Sequence, residues 1–153
     1  MSINLDFLEG GYFEEKNGRR VVRADLITTH ARAFGNYFAE SEKPTSTQMR
    51  NFHNDAKALE AKLRRGGTQI TQEAYDENEH LIKMLSAKVA YAYGREPGKY
   101  VSKEFKDFID KCVEAIEGPD DFEAFMKFLE STVGFYFGRR GELEEEKRQR
   151  RRR

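Results

Sequence analysis

Between residues 122 and 136 the side chains Phe122, Phe125, Met126, Leu129, Val133 and Tyr136 recur at intervals of three or four. That interval follows the turn of an α-helix, so the segment must present one apolar face and bury it against a partner. The pattern recurs in four more stretches. Ile27, Ala31, Phe34 and Phe38 predict a helix from about Ala24 to Ala39. Met49, Phe52, Ala56, Leu59 and Leu63 predict a second, ended by Gly66-Gly67. It has a clear start: Thr45-Ser46-Thr47-Gln48 reads as a capping box behind Pro44, with the Thr45 hydroxyl accepting from the Gln48 amide. A third helix, from about Thr71 to Tyr93, carries Ala74, Leu81, Ile82, Leu85, Val89 and Tyr93 ahead of Gly94. A fourth spans about Ser102 to Glu117, with Phe105, Phe108, Ile109, Cys112, Val113 and Ile116 inward, and Gly118-Pro119 closes it. The fifth is expected to end at Gly138, a residue that turns left-handed at little cost.

The expected fold is therefore all-α: a compact bundle of about five helices in one domain, over residues 24–138. Residues 1–23 read as an irregular N-terminal arm with a turn at Asn17-Gly18, which could close a small hairpin. Residues 139–153 read as a disordered, basic, Arg-rich tail. Twelve Phe and seven Tyr supply enough apolar area for a core despite a charged fraction of 35%. No run approaches the roughly 20 apolar residues of a membrane span, and no apolar signal follows Met1, so a cytoplasmic protein is expected. The single Cys112 excludes an intramolecular disulfide and a four-thiolate metal site.

The formal charge is zero, from 27 basic and 27 acidic side chains, yet the charge is segregated. Residues 1–138 hold 19 basic and 23 acidic groups, whereas 139–153 hold 8 and 4. Residues 43–95 carry 9 basic against 6 acidic, and 96–137 carry 5 against 10. Position sharpens this. At about 100° per residue, Arg50, Asn54, Lys57 and Arg64 share one line on the second helix, opposite its apolar stripe. Three cations on a solvent-facing line can follow a phosphate backbone. Asp55 and Glu60 point away from that axis and do not obviously neutralise it. As a solvated surface, the same residues would serve only solubility.

Catalytic chemistry finds little material. His30, His53 and His80 share no spacing, and Glu77-Asn78-Glu79-His80 matches half of a di-iron pattern with no second copy. Cys112 lies on an apolar stripe, where a thiol acts as a small hydrophobe. Gly66-Gly67 and Gly10-Gly11 lack the spacing of a phosphate loop. No catalytic residue, metal ligand, cofactor or small-molecule substrate is expected. The aromatic-cation clusters Tyr91, Tyr93, Arg95 and Phe135, Phe137, Arg139 could stack on bases, but helical spacing makes core packing the first expectation for most of them.

Three strings in order carry a family resemblance: Pro44-Thr45-Ser46-Thr47-Gln48-Met49-Arg50-Asn51-Phe52, then Lys88-Val89-Ala90-Tyr91-Ala92-Tyr93-Gly94-Arg95, then Phe128 to Tyr136. Together, over roughly residues 24–138, they resemble the small subunit of the type III-A CRISPR (Csm) effector complex. The resemblance implies a non-enzymatic structural subunit in antiviral defence, a helical bundle that lines up in several copies along the CRISPR RNA and its paired target RNA, beside other Csm subunits. Guide pairing would read the sequence, leaving the protein to recognise backbone and shape. Carried over by position, Arg50, Lys88 and Arg95 come from the motifs. Lys57, Arg64 and Arg65 come from the basic line and its loop. The alternative is a helical adaptor that binds protein alone, through the acidic 96–137 half.

Overall fold

The computed structural model describes residues 4–152. A single turn at Asp6–Leu8 leads into the strands β1 (Phe13–Lys16) and β2 (Arg19–Val22), and a π-helical turn at Leu26–His30 runs into α1 (Ala31–Ser41). Four helices follow: α2 (Ser46–Arg64), α3 (Gln72–Arg95), α4 (Lys103–Glu114) and α5 (Pro119–Arg151). The helical bundle expected from the apolar stripes is present, with one two-stranded antiparallel hairpin added.

α5 is the organising rod. α1 lies along it in the same direction, α2 runs back along its other flank, and α3 and α4 pack together. The α1 to α5 contact is made at Gly35, where an added Cβ would stand 2.7 Å from both the Phe135 Cβ and the Thr132 carbonyl oxygen. Beneath it sits an aromatic cluster of Phe7, Phe34, Phe38, Phe105, Phe108 and Phe128. The Phe34 and Phe108 rings are 4.5 Å apart and the Phe7 and Phe34 rings 4.6 Å. Each fully buried ring of this kind contributes about 1.5–3 kcal/mol.

Side-chain caps start three helices. The hydroxyls of Thr45, Thr71 and Ser102 accept from the amides of Gln48, Ala74 and Phe105 at 3.3, 3.1 and 3.1 Å. At Thr45 only this half of the expected capping box is made. α2 ends with Arg65 and Gly66 both left-handed, at φ 51° and 83°.

The N-terminal arm is more ordered than its composition suggests. Asn17 and Gly18 both take positive φ, closing the hairpin with Phe13 opposite Val22 and Lys16 opposite Arg19. A lone hairpin is marginal, but this one is anchored. Phe7, Leu8 and Tyr12 are buried, and the Tyr12 hydroxyl donates to the Cys112 carbonyl. The Arg23 guanidinium donates to the carbonyls of Phe7 and Gly11 at 2.7 and 2.8 Å while pairing with Asp25.

Two glycines expected to stop helices lie inside them. Gly94 falls in the last turn of α3, and Gly138 leaves α5 uninterrupted. The Arg-rich segment expected to be disordered continues α5 as an exposed helix through Arg151; Tyr136 is its last buried side chain. A helical glycine costs about 1 kcal/mol, which several ion pairs of about 0.2–0.5 kcal/mol each can offset. Arg139 pairs with Glu40 at 2.9 Å and Glu142 at 3.1 Å, Arg140 with Glu42 at 3.4 Å, and Arg150 with Glu146 at 3.8 Å.

Candidate nucleic-acid interface

α2 turns its basic line toward the exposed flank of α5. At one end the Arg50 guanidinium carbon lies 5.3 Å from the centre of the Phe137 ring. At the other, Arg64 reaches Glu60 on its own helix at 3.1 Å and Glu123 on α5 at 3.6 Å. Between them a groove of about 240 Å³ is lined by His53, Lys57, Arg64, Met126, Lys127 and Glu130, with Glu60 and Glu123 also in its wall. Arg50, Lys57 and Lys127 are exposed, and none has a carboxylate within ion-pair distance among the described residues. Burial, then the charge of Lys57, hold the His53 imidazole below its ordinary 6.5, against the opposing pull of Glu130. His53 is therefore neutral at pH 7 and adds no cation to the groove.

The expectation that no acid neutralises the basic line needs correction at Arg64. Glu60 stands one turn before it, and a long Arg side chain closes that i, i+4 gap easily. Arg64 also keeps its Nε buried without a hydrogen-bond partner.

The six expected site residues do not form one surface. Arg50, Lys57 and Arg64 share the α5 side of α2. Asp55 lies about 140° around the helix from Arg50, and there it stands 3.8 Å from Lys88 of α3. Lys88 thus belongs to the α2 to α3 side. Arg65, in the turn after α2, pairs with Glu77. Arg95, at the end of α3, lies between Tyr91 and Tyr100, with its guanidinium carbon 5.8 and 5.0 Å from their ring centres. Tyr91 is 70% exposed, in keeping with its place off the apolar stripe.

Lys127 escapes a reading by sequence because it belongs to an acidic stretch; only the antiparallel pairing of α2 with α5 brings it beside Lys57. Phe137 is half-buried, and the sequence signal for it is its neighbour Tyr136, which points straight into the core. The alternating pattern Phe135-Tyr136-Phe137 places the flanking rings on either shoulder of the helix.

Among the described residues no group of three or more His, Cys, Asp and Glu side chains could hold a metal ion, and Glu77 answers Arg65 rather than His80. No helix among them is long and apolar enough to cross a membrane. Cys112 is buried, which pushes its thiol well above the usual range.

The family model for Csm2 of type III-A systems matches residues 22–138, which include α1 to α4 and the buried part of α5. No curated protein and no solved structure matches the chain. The match covers most of the sequence and all three strings that carry the resemblance, so the chain belongs to the Csm2 type III-A family and is a structural subunit of the type III-A CRISPR complex.

Proposed function

We propose that this subunit contacts RNA directly, holding the CRISPR RNA and its target through phosphate and sugar rather than through bases. The observation that carries the reading is the pair Arg50 and Lys57: exposed cations two turns apart on one line of α2, without carboxylate partners among the described residues, along the α2 to α5 groove. Arg95, flanked by two tyrosines, is a second contact point. Arg64, Arg65 and Lys88 share their charge with Glu60, Glu123, Glu77 and Asp55 and rank behind them. The work is non-catalytic and belongs to antiviral defence in the cytoplasm, with other copies of the chain along the same RNA.

Changing Arg50, Lys57 and Arg95 together to Ala is expected to weaken RNA binding and flatten its salt dependence, by about one unit of log-log slope for each phosphate left without its cation. Filter binding across a salt series reads both quantities. An unchanged affinity and slope would remove the RNA reading from these residues. The adaptor alternative is less well supported, because acids of the 96–137 half are answered locally: Lys103 by Asp107 at 2.9 Å, Lys106 by Asp110 at 3.1 Å. Complex assembly that survives RNase treatment unchanged would favour it.

A further inference from the structure

The exposed face of α5 lies between α1 and α2. On a helical wheel, Lys127, Gly134, Gly138 and Gly141 fall within about 60° of one another along that face. Phe135 and Phe137 lie about 80° to either side. Each ring supports one arginine. The Arg32 guanidinium carbon of α1 stands 4.7 Å from the Phe135 ring centre, and that of Arg50 on α2 stands 5.3 Å from the Phe137 ring centre. Both cations are exposed, and neither has a carboxylate partner among the described residues. A guanidinium resting on a ring keeps its N–H edges free for an acceptor while one of its apolar faces is covered.

Acids on this face do not cancel the charge. Glu123 is paired with Arg64, leaving Glu130 against Arg32, Arg50, Lys57 and Lys127. The free protein does not require its glycines, since a Cβ added at Gly134, Gly138 or Gly141 would meet nothing within 4 Å. Three glycines in an exposed helix weaken it, and a solvated face would be better served by Ala, Glu or Lys. Bare backbone does, however, let an extended ligand lie close against the helix between the two arginines.

We infer that this cation-lined face of α5 is the seat of an RNA sugar-phosphate strand, with Arg32 and Lys127 as phosphate contacts beside Arg50 and Lys57, and the glycines as its floor. The inference rests on the RNA reading above and extends it to α1 and α5. Phe135 and Phe137 are positioning residues that hold the guanidiniums in place. From Lys127 to Gly141 the seat runs roughly 20 Å, room for several phosphates.

The test uses the full chain and a labelled single-stranded oligouridine, with affinity measured across a salt series and thermal unfolding of each variant. Changing Arg32 and Lys127 together to Ala should weaken binding and lower the salt slope by about 2, one for each phosphate left without its cation. Changing Gly134 and Gly138 together to Ala should raise the unfolding temperature and yet weaken binding, because the methyl groups occupy the strand's path. If wild type binds and R50A/K57A weakens it while R32A/K127A does not, the seat on α5 is wrong and the RNA reading stands. If the glycine variant binds as wild type does, no strand approaches the floor and the inference fails. If wild type shows no salt-dependent binding, the RNA reading fails and takes this inference with it.

Discussion

Gly35 is where a single missing side chain decides the packing of two helices. A methyl group there would press on the Phe135 Cβ and on the α5 backbone, neither of which is a flexible chain end that can step aside. Overpacking of this kind costs about 1–3 kcal/mol, partly offset by a helix-propensity gain of about 1 kcal/mol. Gly35→Ala should therefore lower the unfolding temperature by a few degrees, at about 2–4 °C per kcal/mol for a chain of this length, as calorimetry would read. The same substitution on the open face of α5 has the opposite expected sign. His53 is the residue that makes stability depend on pH near neutrality. Its folded value lies below 6.5 because of burial and Lys57, so the unfolded chain binds the extra proton first. The contribution is complete above 6.5 and is lost as pH falls through the folded value. His53→Gln should flatten the loss of stability in that acidic window, measured by urea titration at a series of pH values. Neither residue advertises its role in the sequence. Gly35 looks like a weak point in a helix, and His53 like a polar neighbour of Phe52.

The helices were legible because each carries its own period, and three of them carry a side-chain cap at the start. Thr45, Thr71 and Ser102 cap their helices with hydroxyls three residues ahead of the amides they accept from, a local signal that needs no tertiary context. Helix ends were less legible. A glycine permits a left-handed turn but does not compel one, and at Gly94 and Gly138 the helical bonds continue. The hairpin was undecidable locally, since its stability comes from Tyr12 and Arg23 reaching residues far along the chain or across the arm. The outer part of α5 should be thermodynamically separable from the rest. Its ion pairs, such as Lys147 with Glu42 at 3.8 Å, are exposed and worth about 0–1 kcal/mol each. Ending the chain after Arg140 should leave the unfolding midpoint nearly unchanged while reducing helical circular dichroism, and a large fall in the midpoint would show that the outer helix stabilises the bundle.

For the whole molecule, a net charge of zero conceals an uneven surface. Acids of α4 answer lysines on their own helix, while Arg32, Arg50, Lys57 and Lys127 converge from three helices without carboxylate partners among the described residues. Half of that convergence is visible in the sequence. The spacing of Arg50 and Lys57 puts them on one line of one helix, whatever that helix packs against. Arg32 and Lys127 could not be joined to them, because periodicity orders residues within a helix and says nothing about which helix comes next. Lys88 shows the converse: grouped with Arg50 by the family motifs, it stands on the other side of α2 beside Asp55. Sequence alone determined the all-α class, the number of helices, their buried faces, the capped start at Thr45 and the family motifs, since those properties arise within about one or two turns of chain. Only the tertiary structure decided which faces meet, that the arm is anchored, which cations keep their charge, and that the glycines of α5 lie open between two arginines. Those outcomes depend on contacts between residues far apart in the chain, such as Phe7 with Phe128, where close approach at Gly35 and burial of the phenylalanine cluster select the arrangement.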